Sequence, residues 1–293
     1  MMRPFHRLAA LYWSSCCFNL SDSILALAVP WLVLQATGSV MLTGLVASAA
    51  LGAMLAGSLL SGAMVRRLGS DKTIQLSFLS DVIGVSGLLY CFMQPSLPIW
   101  LLIFFVVMDR SLDAACNVAV ESRFPEVARY NKTPLARISA MKESLMIGSL
   151  IIGTASAGWM LANFSTVLVL SVSLALNVMG IITFQLILAL YRSKSVQANS
   201  GIRRSFGFLW GQKNLRSYLI LVAVVMASIA SVDDVILPAL IDQTTKNPAD
   251  IGWIMASYGV TVLISALLYA AYHHHISNKT VVTIGTRLWQ AAG

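Results

Sequence analysis

The residues best suited to chemistry lie in "VVMDRSLDAA" (106–115), where Asp109, Arg110 and Asp113 share a short stretch of chain. Apolar runs flank them, "LPIWLLIFF" before and "ACNVAV" after. Arg110 and Asp113 are three apart, and Asp109 and Asp113 are four apart; those spacings place side chains on neighbouring parts of one helical face. Carboxylates beside a guanidinium in such a setting can hold a proton, attract a cation or neutralise one another. An Asp or Arg at the centre of a membrane-spanning helix costs about 2.5–3.5 kcal/mol. An internal Arg–Asp pair reduces that cost, but a second carboxylate still needs water, a proton or a cationic partner. The stretch therefore predicts a polar cavity beside its helix. The alternative is a salt bridge that only fixes helix packing.

Other acids lie in apolar segments: Asp22, Asp81, Asp233 and Asp234. The adjacent Asp233 and Asp234 point about 100° apart on a helix. One is expected to face the cavity, the other a neighbouring helix or the outer mouth.

The elements that must carry these residues follow from composition. Of 293 residues, 57% are hydrophobic and 11% charged, against about 25% charged in a soluble domain. A spanning helix needs roughly 20 mostly apolar residues. Eight segments qualify, near 9–35, 41–65, 73–93, 98–119, 138–161, 166–191, 217–240 and 251–272, and a ninth apolar run begins at Val281. With the N-terminus inside, all of the 20 Lys and Arg except Arg110, Lys246 and Arg287 fall on cytoplasmic segments. This is the positive-inside pattern, so the net charge of +8 reflects topology and does not indicate nucleic acid. The first segment is too long for a signal peptide and carries Asp22, so it reads as a retained helix. Cys16, Cys17, Cys91 and Cys116 read as small hydrophobes in helices.

A repeat underlies the order of segments. Shifted by 208 positions, "SILALAVPWLVLQATGSVMLTG" (23–44) lies over "SVDDVILPALIDQTTKNPADIG" (231–252) without a gap. Ser23, Pro30, Gln35, Thr37 and Gly44 then meet Ser231, Pro238, Gln243, Thr245 and Gly252. Both first helices start inside and an outside loop follows each. A parallel repeat of six helices is one plan for secondary transporters. Two full units would need about twelve helices, so this chain is expected to be a C-terminally truncated version of that plan.

Three places resemble the major facilitator superfamily, in its enterobactin-exporter and macrolide-efflux branch. These are "SDSILALAVPWLVLQATGSVMLTGLV" (21–46), "GAMVRRLGSDK" (62–72) and "RRSFGFLWGQKNLRSYLIL" (203–221). In the second, Gly62, Arg67, Gly69 and Lys72 match the family's G-x-x-x-D-R-x-G-x-[RK]-[RK] loop, a conformational switch. Arg66 replaces its Asp, and Asp71 is the displaced candidate for the anionic part. In "GSLIIGTASAGWM" (148–160), Gly153 and Gly158 match the antiporter motif of helix 5, while Thr154 and Ala157 depart from it. "RSLDAA" faintly resembles a helix 4 motif whose Arg is linked to proton transfer; Asp113 and Ala114 depart from it.

The resemblance implies an all-α integral membrane helical bundle: a complete six-helix N-terminal half plus about two and a half helices of the second. The expected units are a six-helix bundle over 1–192, a cytoplasmic linker with an amphipathic segment over 193–216, and a partial C-terminal bundle over 217–293. Helices 1, 4 and 7 line the cavity in this family. Asp22, Asp109, Arg110, Asp113 and one of Asp233 and Asp234 are therefore expected to form a protonatable or cation-attracting site. Gly52, Gly57 and Gly62 in helix 2, and Gly148, Gly153 and Ala157 in helix 5, are expected to allow close helix approach. Gly148, Gly153 and Gly158 are the candidate gating positions. Tight packing with no moving part is the alternative. Pro30 and Pro238 either kink their helices or sit near the ends. The Trp residues read mostly as interface anchors.

No metalloprotease, serine-hydrolase or phosphate-loop motif is present, so an enzyme is not expected, nor any cofactor or metal. His273, His274 and His275 are consecutive and face different ways on a helix. The expected function is gradient-driven export of a drug- or siderophore-like small molecule, with protons as the coupling partner. The expected location is the bacterial inner membrane, with the N-terminus cytoplasmic and a monomer as the working unit. The alternative is a degenerate product that transports nothing and at most binds ligands in the membrane.

Overall fold

The computed structural model describes residues 4–94, 98–131, 134–190 and 213–272. Every element among them is helical. In order they are α1 (Pro4–Thr37), α2 (Val40–Leu68), α3 (Ser70–Met93), α4 (Ile99–Ser111), α5 (Asp113–Asn131), α6 (Leu135–Asn163), α7 (Thr166–Leu190) and α8 (Lys213–Ser231). A π-helical turn (Val232–Ile236), α9 (Leu237–Gln243) and α10 (Pro248–Tyr272) follow. Six stretches are long and apolar enough to cross a membrane: Tyr12–Thr37, Val40–Leu68, Ser70–Met93, Arg137–Asn163, Thr166–Leu186 and Val224–Gln243. The chain is a multi-pass membrane protein. The 193–212 part of the expected linker, the ninth apolar run, Trp210 and the three consecutive histidines lie outside the described residues.

The core is built where α1 meets its neighbours. α1 packs against α6 and α7, α3 against α4 and α7, and α2 against α4 and α5. Leu27 and Val33 of α1, Val85 of α3, Leu102 of α4, Leu170 of α7 and Ile251 of α10 join in one buried cluster. A smaller aromatic cluster stacks Phe18 edge-on to Phe78, with ring centres 5.7 Å apart. The outward faces stay apolar: Leu55, Leu59 and Leu60 of α2 and Ile152 of α6 are exposed, as lipid-facing side chains should be. Trp13, Trp100, Trp159 and Trp253 are also exposed, whereas Trp31 is buried in the core and anchors no interface.

Close approach falls on some of the expected small residues and not others. A Cβ on Gly57 would lie 1.9 Å from the carbonyl oxygen of Ser111. One on Gly153 would lie 2.6 Å from the Ser23 Cβ, and one on Gly158 would lie 2.8 Å from the Gly252 Cα. So α2 meets α4, α6 meets α1, and α6 meets α10 backbone to backbone, as small residues allow in lipid. Ala157 is also fully buried. Gly52, Gly62 and Gly148 have open space around them among the described residues, and the close approach expected there is absent.

The 208-residue shift has a geometric counterpart. Gly38, at the exit of α1, has φ +61°, and Lys246, its partner under the shift, has φ +54°. They are the positive-φ residues of the two turns. The next residues, Ser39 and Asn247, both cap the following helix: Ser39 accepts from the Leu42 N–H and Asn247 from the Ala249 N–H. The two prolines behave differently. α1 runs unbroken through Pro30. Pro238 sits at the start of α9, just after the π-helical turn. An α-helical bond from position 238 would end on the Asp234 carbonyl, and proline has no N–H to make it. The backbone widens there, and the Leu237 N–H reaches back to the Val232 carbonyl.

Candidate functional site

The segment 98–119 is not one helix. It breaks at Leu112, between α4 and α5. Arg110 closes the last turn of α4 and Asp113 opens the first turn of α5, so each charge complements the dipole of its helix end. Two carbonyls flanking the break also accept from α3. Ser80 donates to the Met108 carbonyl at 2.6 Å and Ser77 to the Leu112 carbonyl at 3.1 Å. Gly57 presses on the Ser111 carbonyl from the other side. α2 and α3 thus clasp the break and fix where the charges point.

Arg110 is the centre of the cluster. Its Nη1 donates to the Asp22 carboxylate on α1. The same nitrogen lies 3.6 Å from Asp113 Oδ2, and Nε lies 3.6 Å from Asp109 Oδ2. The closest partner is therefore on another helix and not the expected Asp113. Asp109 is buried against α3: a Cβ on Gly84 would come within 2.8 Å of the Asp109 Cβ. Ser21, beside Asp22, ties α1 to α7 through the Ser173 hydroxyl at 2.6 Å.

A cleft of about 140 Å³ opens beside the cluster, walled by α1, α2, α3 and α4 side chains such as Val29, Pro30, Met54 and Val106. Asp109 and Arg110 mark its polar end together with Asp234 from the π-helical turn. Of the adjacent acids it is Asp234 that reaches the cleft; Asp233 does not line it. Asp22 and Asp113 line a separate, smaller cleft of about 10 Å³, and Asp109 borders both.

The loop between α2 and α3 is a second polar centre. Gly69 turns the chain with φ +84°, and Arg66 and Arg67 complete the last turn of α2. Asp71, in the first turn of α3, forms an ion pair with Arg123 of α5. Ser70 and Ser122 share a hydrogen bond of 2.6 Å alongside. Lys72 and Arg67 are exposed, as is Gly62. A third pair, buried Lys142 with Glu121 at 2.8 Å, joins α6 to α5.

Sequence reasoning missed the Asp71–Arg123 and Lys142–Glu121 pairs, because each joins helix ends separated by a span or a loop. It also missed Asn177, which sits in an apolar run and lines the smaller cleft. Among the described residues, no group of three or more His, Cys, Asp or Glu side chains is placed to hold a metal ion.

Multiple apolar spans around a cleft with charged residues at one end define a polytopic membrane protein of the transporter type. The family model of the Major Facilitator Superfamily matches residues 11–286, and the chain belongs to that superfamily. It is similar to the multidrug efflux pump Tap of Mycolicibacterium fortuitum, with 25% identity over 281 residues, covering 91% of this chain and 68% of that protein. It is also similar to the Tap pumps of Mycobacterium bovis and Mycobacterium tuberculosis, at 26% identity over 274 residues, covering 89% of this chain and 64% of each. The chain thus spans about two thirds of the length of these relatives.

Proposed function

We propose that the protein is a secondary active exporter of an amphipathic small molecule, driven by a proton gradient through alternating access. The observation that carries this reading is the cleft beside the Arg110 cluster, lined by apolar side chains together with Asp109, Arg110 and Asp234. Small-molecule sites commonly combine apolar walls with a few convergent polar groups. The likeness to multidrug efflux pumps supports an amphipathic substrate. The Arg110-centred carboxylates are the groups that would exchange the proton, because ionisable residues inside a membrane mark ion and substrate paths. The loop of Gly62, Arg66, Arg67, Gly69, Asp71 and Lys72 would act as the switch, latched by Asp71 on Arg123. Gly153 and Gly158 would be the gating contacts of α6.

The proposed setting is the bacterial inner membrane with the N-terminus cytoplasmic, which the placement of Lys and Arg supports. The proposed organisation is a six-helix bundle over 1–192, a linker over 193–216 and a second bundle from 217. No enzymatic step is part of this reading.

The test is dye accumulation in cells expressing the chain, with and without a protonophore, beside dye binding to the purified protein. Lower accumulation that the protonophore abolishes supports export. Binding without any change in accumulation leaves a membrane-embedded binding protein. Loss of both removes the reading.

A further inference from the structure

The π-helical turn Val232–Ile236 has no buried residue and lies within a stretch long and apolar enough to cross a membrane. It divides its side chains between two spaces. Asp234 lines the larger cleft, whereas Asp233 does not. Val235 and Ile236 line a separate opening against Gly44, Ala47 and Leu51 of α2. The turn thus puts one carboxylate into the cleft, with a second acid before it in sequence and an apolar side chain after it. A change in how the backbone winds here would exchange that carboxylate for one of its neighbours.

Single π-helical turns inside α-helices are rare and concentrate at functional sites. The cause of this one is local. Pro238 offers no N–H to the Asp234 carbonyl, and the Leu237 N–H bonds instead to the Val232 carbonyl. Proline alone does not suffice. Pro30, its counterpart under the 208-residue shift, lies inside an unbroken α1. There Ala28, Val29, Trp31 and Leu32 are buried, and packing against α6 and α7 holds the helix in register. The residues of the π-helical turn lack such burial, so the missing N–H widens the backbone. Ala26, the counterpart of Asp234, lines the same larger cleft. The first unit therefore gives the cleft a methyl group and the second a carboxylate. Arg110 is paired with Asp22, with Asp109 and Asp113 3.6 Å away, and Asp234 is not among these partners.

We propose that Pro238 is a positioning residue: by denying the Asp234 carbonyl its α-helical donor, it keeps the π-helical turn open and Asp234 directed into the larger cleft, which makes that cleft selective for cationic over uncharged ligands. Pro238 itself lines neither opening and acts through the backbone. This role rests on the reading of the larger cleft as a small-molecule site and adds to it what selects the charge of the ligand.

The experiment measures binding of ethidium, a cation, and of Nile red, an uncharged dye, to the purified chain in detergent, with thermal unfolding and hydrogen exchange of the π-helical turn alongside. Pro238→Ala restores the N–H, so the turn is expected to close, exchange across it to slow and the melting temperature to hold or rise. The ethidium Kd is expected to rise about tenfold, as for Asp234→Asn, while that of Nile red changes less than about twofold. Adding Asp234→Asn to Pro238→Ala should weaken ethidium binding no further. Stability held while cation binding falls separates positioning from a general loss of structure. Unchanged ethidium binding in Pro238→Ala, unchanged exchange, equal weakening of both dyes, or full additivity of the two substitutions overturns the role of Pro238 and leaves the cleft reading standing. An unaltered chain that takes Nile red but not ethidium also overturns it. Failure to bind either dye overturns the cleft reading itself, and this role with it.

Discussion

Arg110 of α4 is ion-paired with Asp22 of α1, although 88 residues separate them. The pair joins the first helix to the guanidinium that, among the described residues, lines the larger cleft, two residues before the break at Leu112. Asp109 and Asp113 stand behind it at 3.6 Å.

Removing the cation should cost more than removing one anion. The Arg110 side chain is 18% exposed and that of Asp22 is 40%. Arg110→Gln strands three carboxylates and should lower stability by about 3 kcal/mol. Asp22→Asn, at the wetter end, should cost about 1 kcal/mol. The double variant should lose about 1 kcal/mol less than the two singles together. Thermal unfolding in detergent measures all three, and strict additivity would show that the pair carries no coupling.

Glycines of α2 should separate sharply. A Cβ at Gly57 would collide with the Ser111 carbonyl, so Gly57→Ala must push α2 away from α4 and lower the melting temperature. Gly52→Ala and Gly62→Ala meet nothing within 4 Å and should be neutral or gain about 0.5–1 kcal/mol from helix propensity. Equal effects at all three positions would mean that α2 does not pack as described.

The ion pair between Asp71 and Arg123 should depend on complementary charge. Asp71→Arg puts two cations together and should reduce dye efflux several-fold, as should Arg123→Asp. The double exchange should recover at least half of the loss. No recovery would show that these positions act through something other than their mutual attraction.

Asp234 and Asp233 should differ as ligand-binding residues. Asp234 lines the larger cleft and Asp233 does not. Asp234→Asn should raise the Kd of a cationic dye about tenfold, equivalent to about 1.4 kcal/mol, whereas Asp233→Asn should change it less than twofold. A reversed order would place the other acid in the site.

The Arg110 cluster was half legible. Charges in a run as apolar as 98–119 demand a polar setting, because burial without one is too costly. The sequence could not show that Leu112 interrupts the helix. No Pro or Gly marks it, and the break rests on Ser77, Ser80 and Gly57 from other helices. Nor could it choose between Asp233 and Asp234, since that depends on how the π-helical turn before Pro238 rotates the chain. Of the glycines, Gly57, Gly153 and Gly158 make close contacts and Gly52, Gly62 and Gly148 do not; spacing along one helix cannot reveal which face a neighbour covers.

The sequence by itself determined that the chain is a helical protein with several membrane spans, and it pointed to the family. Bilayer thickness sets the length of an apolar run, and backbone hydrogen bonds in lipid can be met within a helix. The tertiary structure alone decided which charges meet. Asp22 with Arg110, Asp71 with Arg123, and Glu121 with Lys142 are joined by helix packing. Helix packing in lipid is governed by local side-chain fit between surfaces far apart in sequence, which no reading along a single helix contains.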